Sequence, residues 1–130
     1  MPVKMWPSDY PTFPKVPPLD AECIKKELYR IVRNVPPTVN DFLPTNKDPY
    51  QKHLHKKKGI NTNPAFFGTS FFESKTPLET LLRSHPQMFR AAKIAYGPIL
   101  DEHGVAQSSS SGHVSVWFYD GVYPQGFIAE

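Results

Sequence analysis

In "ELYRIVR" the apolar positions Tyr29 and Ile31 alternate with polar ones more nearly as a strand than as a helix, which predicts a first strand from about Glu27 to Arg33. Two later stretches share the period of two. Ala92, Ile94 and Tyr96 alternate with Lys93 and Ala95, and Val114, Val116 and Phe118 alternate with Ser115 and Trp117. Both faces of the second stretch are apolar enough for a central strand, and a loop through the flexible "SSSSG" is expected to join the two. Helical spacing appears in "TPLETLL", where Leu78, Leu81 and Leu82 share a face behind Thr76 as N-cap, Pro77 at the first position and Glu79 at the third. This helix should stop near Ser84, because Pro86 disfavours helical backbone at His85. A shorter helix is expected over residues 21–26 behind Asp20, and a single turn behind Thr38 should carry Phe42 inward. Residues 46–64, the most polar run, should cross the surface as a long loop or frayed helix. "NPAFFGTSFFES" reads as two short strand-like pieces divided at Gly68. "GVYPQGFIAE" should turn at Pro124 to Gly126 and end on a short strand.

Together these elements predict an α+β fold: a mostly antiparallel sheet of five or six short strands with two or three helices, in one domain over residues 19–130. Residues 1–18 hold six prolines, so neither a helix nor a central strand can run through them. They form an extended arm carrying Trp6, Tyr10 and Phe13. The arm is expected to lie across its own domain, with docking on a protein partner as the alternative.

Composition narrows this picture in a few places. A chain of 130 residues has room for one modest core, and 39% apolar with 13% aromatic residues argues against wholesale disorder. The net charge of +3 favours an anionic partner only weakly. The single cysteine, Cys23, excludes an internal disulfide and reads as a small buried hydrophobe. No apolar run is long enough to span a membrane, and the first residues lack the apolar region of a signal peptide, so a reducing cytoplasm is the expected home. Nothing specifies an oligomeric state.

The phosphate-binding glycine loop, zinc helix, nucleophile elbow and dinucleotide fingerprint are all absent, which removes most common enzyme classes. His53 and His55 are two residues apart but have no cysteine or carboxylate-rich third segment, so no metal is expected. What remains is a series of polar residues on strands: Arg30 or Arg33, then Thr69 and Ser70, then His113 and Trp117, then Glu130. Arg30 and Arg33 can simply point outward from a half-buried strand. The phenylalanines of "AFFGTSFFES" mostly build core, whereas Thr69 and Ser70 are the cleft candidates, beside a glycine that would let a ligand approach the backbone.

The segments "ELYRIVRNVPPTVNDFL", "FFGTSFFESKTPLETLL" and "GHVSVWFYD" resemble, in order and spacing over residues 27–130, small ADP-ribosyltransferase-like domains. In that family an early strand carries an arginine, a middle strand carries Ser/Thr beside an aromatic, and a late segment carries a glutamate. The chain also resembles small uncharacterised bacterial proteins with a "YR...PPT..DF" opening and a late His-x-x-x-Trp. The first resemblance implies NAD as cofactor, with Arg30, Ser70 and Glu130 as catalytic residues and Arg33, Thr69, Phe71, Phe72 and His113 binding the cofactor. Cleaving nicotinamide from NAD develops positive charge on a ribose, so such a site needs a guanidinium on the pyrophosphate, a hydroxyl and aromatic cleft, and a carboxylate near the reacting carbon. Two other classes stay open. One is a small inhibitor, immunity or adaptor protein gripping its partner with the arm, and the other is an RNA binder using "KHLHKKK" with Tyr50 as a stacking ring.

Overall fold

The computed structural model describes residues 5–129. The chain forms β1 (Lys26–Val32), β2 (Thr69–Phe72), α1 (Thr76–Ser84), β3 (Lys93–Ile99), β4 (Gly104–Ser108), β5 (His113–Phe118) and β6 (Ile128–Ala129). Four 3-10 helices, Val39–Phe42, Pro49–Lys56, Ile60–Thr62 and Pro64–Phe67, fill the long connection between β1 and β2. The six strands make one antiparallel sheet in the order β4-β5-β2-β1-β3-β6. This is the α+β, mostly antiparallel architecture that the alternating patterns predict.

Register assigns the faces. Tyr29 lies opposite Phe72, Arg30 opposite Ala95, and Phe71 opposite Val114. Side chains alternate across a strand, so Leu28, Arg30, Val32, Thr69, Phe71, Val114 and Val116 share one face, while Tyr29, Ile31, Ser70, Phe72, His113 and Trp117 share the other. The first face carries the main core. Leu28, Val32, Phe71, Ala95, Ile99, Val114 and Val116 pack there with Phe42 and Phe127 from outside the sheet. Thr38 is the N-cap of the turn that delivers Phe42, in a capping box with Asp41, and the Phe42 ring lies 5.2 Å from Phe127 and 6.3 Å from Phe71.

Several local expectations change. Residues 21–26 are not helical: Glu22 forms an isolated bridge with Ala106 and so covers the outer edge of β4, a long-range pairing that outweighs the local cap signal of Asp20. Cys23 is consequently exposed rather than buried. The span between the two alternating stretches is not only a loop, because β4 pairs along its length with β5 and makes β5 internal. Of the two strand-like pieces around Gly68, only the second is a strand; Pro64–Phe67 is a 3-10 helix capped by Asn63, whose side chain accepts from the Ala65 N–H. α1 keeps its expected span, with Lys75 rather than Thr76 at the N-cap.

The described part of the arm touches its own domain. Trp6 packs on Tyr119 with centroids 4.8 Å apart, Asp9 pairs with Lys47, the Asp120 N–H donates to the Met5 carbonyl, and Val16 is buried. No helix among the described residues is long and apolar enough to cross a membrane.

Candidate functional site

β1 and β2 share a single register pair, Tyr29 with Phe72, and beyond it Arg30 does the work of a backbone ladder. Its Nη1 donates to the Ser70 carbonyl oxygen at 2.7 Å and its Nε to the Asp41 carbonyl oxygen at 2.6 Å. Nη2 stands 3.5 Å from the Asp48 carboxylate, and the Phe71 ring lies 5.7 Å from the guanidinium carbon. Burial pushes the Arg30 pKa down, while Asp48 and Asp41 push it back up. The planar fork meets two carbonyls that would otherwise be orphaned where the strands part.

This parting opens a cleft of about 520 Å³, within the range of small-molecule sites. Ile31, Phe72, Leu78 and Leu81 give it an apolar wall, Tyr50 and Leu54 come from the 3-10 helix Pro49–Lys56, and Met88 and Phe89 follow α1. Arg33 is the cation of the rim. Its guanidinium carbon lies 3.9 Å from the Tyr50 ring centroid and 5.3 Å from that of Phe89, and its Nη1 donates to the Met88 carbonyl at 2.9 Å. Two carboxylates line the cleft but serve the backbone. Asp41 accepts from the Arg33 and Thr38 N–H groups and from the Asn34 amide, and Asp48 accepts from the Tyr50 N–H and the Gln51 amide.

Of the site residues that the family resemblance implies, Arg30, Arg33, Ser70 and Phe72 line this cleft, and His53 lines it too. His113 adjoins it through Ser70, with Nε2 2.5 Å from the Ser70 Oγ and the Phe72 ring edge-on at 5.2 Å. Thr69 and Phe71 belong elsewhere, because one residue along a strand reverses the face. Thr69 is buried on the core face and donates to the Phe42 carbonyl at 3.0 Å, beside a second cavity of about 300 Å³ beneath the arm. Phe71 is wholly buried and offers no ring face to a ligand. Gly68 makes room for protein rather than ligand, since a Cβ there would come within 3.1 Å of the Trp117 ring. Glu130 lies outside the described residues, and Glu73 forms an ion pair with Lys26.

Nothing in the sequence marks Tyr50, Leu54, Met88 and Phe89 as cleft residues. Tyr50 reads only as a stacking ring beside a basic run, and the other three come from segments without a repeating pattern, so nothing local ties them to β1. Among the described residues no group of three or more His, Cys, Asp or Glu is arranged to hold a metal ion. Comparison of the chain with protein-family models, with curated proteins and with solved structures finds no match.

Proposed function

We propose that the chain binds a nucleotide of the NAD class in the cleft between β1, β2 and α1. One observation carries this reading: the larger cavity gathers Arg30, Arg33, Ser70 and Phe72 from positions up to 42 residues apart (72 − 30). Phe72, Tyr50 and the leucines suit a planar base, the Arg33 guanidinium suits a phosphate, and the Ser70 hydroxyl suits a ribose or amide. The proposal is for binding. The carboxylates in the cleft are engaged by backbone N–H groups, side-chain amides and Arg30, so the transferase step rests on Glu130 as the remaining candidate.

Thermal unfolding with NAD, ADP-ribose and a short RNA tests the reading. NAD or ADP-ribose at a hundred times its dissociation constant should stabilise the fold by about 2.7 kcal/mol, and Arg33→Ala should abolish most of the shift. Melting curves unmoved by NAD and ADP-ribose at millimolar concentration would remove the proposal, and a salt-sensitive shift with RNA alone would favour the basic run instead.

A second reading, a protein-interaction module, draws on exposed apolar side chains in and next to the arm. Phe13 is 77% exposed and Leu19 90% exposed.

A further inference from the structure

The Ser70 and His113 side chains are neighbours on adjacent strands, and their pairing has the parts of a nucleophile and its base. β2 and β5 run antiparallel with Phe72 opposite His113 and Ser70 opposite Ser115, so the His113 ring reaches diagonally to the Ser70 hydroxyl. The Ser70 Oγ and His113 Nε2 are 2.5 Å apart, within the reach a general base needs. Both residues are half-buried, and burial lowers the His113 pKa, which keeps the ring neutral and able to accept a proton near pH 7. Ser70 lines the 520 Å³ cleft, and its main chain is held by the bond from Arg30.

We infer that Ser70 and His113 form a nucleophilic dyad that takes an acyl group from an ester bound in the cleft. The proton leaves the Ser70 Oγ for the His113 Nε2 as the Oγ attacks the ester carbonyl carbon. Collapse of the tetrahedral adduct breaks the bond to the alcohol, which departs with the proton from the imidazolium. Water, activated by the same imidazole, then cleaves the acyl-serine to release a carboxylic acid and regenerate the hydroxyl. The apolar wall of Ile31, Phe72, Leu78 and Leu81 suits an aliphatic or aromatic acyl group.

The inference is independent of nucleotide binding, and a fluorophosphonate probe read by intact mass tests it. The full chain should gain one adduct, mapped to Ser70 by peptide sequencing, with none in Ser70→Ala. His113→Gln, which keeps a polar side chain of similar reach, should slow labelling at least about tenfold while its melting temperature remains within a few degrees. The labelling rate should also fall as pH is lowered through the His113 titration. No adduct on the wild type, an adduct on a residue other than Ser70, or labelling unchanged in His113→Gln would overturn the dyad and leave the contact as a bond between two strands. A failed NAD shift has no bearing on this result, so the two proposals fail separately.

Discussion

At the scale of single residues, Arg30 is where sequence and structure diverge most usefully. The family resemblance implies a catalytic Arg30 and its strand position alone lets it point outward, yet it is 7% exposed and its fork is used on the Ser70 and Asp41 carbonyls. Removing a buried cation from its partners strands those acceptors, so Arg30→Ala should cost about 3 kcal/mol in urea unfolding. Arg30→Lys should recover less than about half of that, because one ammonium cannot match the geometry of a fork. A loss below about 1 kcal/mol in Arg30→Ala would show that the carbonyls find other donors. Two histidines make stability depend on pH. Burial lowers the pKa of His103, against a partial opposing effect of Glu102 and Asp101, and burial lowers that of His113. The His103 Nδ1 also accepts from the Leu100 N–H at 2.9 Å, which holds that nitrogen unprotonated. With the folded pKa below the ordinary 6.5, the unfolded chain takes up protons first as pH falls. Their contribution is therefore present above about pH 6.5 and lost as pH drops through the folded values. Urea midpoints between pH 7.5 and 5 should fall accordingly, and His103→Gln should flatten the slope. An unchanged slope in that variant would assign the pH dependence to other groups.

At the scale of elements, the sequence disclosed those with a strong local period and hid those made by long-range pairing. β1, β5 and α1 are legible because Tyr29 and Ile31, Val114 and Val116, and Leu78 and Leu81 each repeat at the spacing of their element. β4 is hidden because "GVAQS" has two apolar side chains, and the pairing of Ala106 with Val116 and Glu22 depends on chain far away. The 3-10 helices between β1 and β2 are too short for any period to show. The cleft is legible for the same reason only in part. Arg30, Arg33, Ser70 and Phe72 sit on or beside regular strands, but which face each takes follows from register, and register separated Thr69 and Phe71 from Ser70. The junction of β3 with the C-terminal segment tests how tightly such elements are fitted. A Cβ at Gly97 would lie 2.6 Å from the Phe127 ring and 2.8 Å from the Phe127 Cα, so only glycine lets Phe127 reach the core across β3. Gly97→Ala should destabilise the fold by about 2–3 kcal/mol and shift the Phe127 ring resonances in NMR spectra. Intact ring shifts with unchanged stability would mean that the strand yields without displacing the ring.

At the scale of the whole molecule, the arm decides whether the domain is complete without its first residues. The described part lies over the 300 Å³ cavity, where Pro7, Tyr10, Phe42, Thr69 and Tyr123 meet. Val16 and two prolines, Pro14 and Pro17, are buried. Burial and the adjacent Asp9 raise the Tyr10 pKa, so the ring stays a neutral phenol against the domain. Burial of Val16, at about 1.5–3 kcal/mol, with Pro14 and Pro17 buried beside it, outweighs the Asp9–Lys47 ion pair, since both of its partners are roughly half exposed and such pairs contribute about 0–1 kcal/mol. Apolar packing therefore holds the arm. Deleting residues 1–18 should lower the unfolding free energy by at least about 2 kcal/mol, and Trp6→Ala, which removes the ring on Tyr119, should account for part of that loss. Asp9→Asn should change little and respond weakly to salt. The opposite result, unchanged unfolding after the deletion with binding of a protein partner lost, would mean that the arm's contacts with its own domain are too weak to hold it there. Phe13, 77% exposed, would then be the side chain through which it grips that partner.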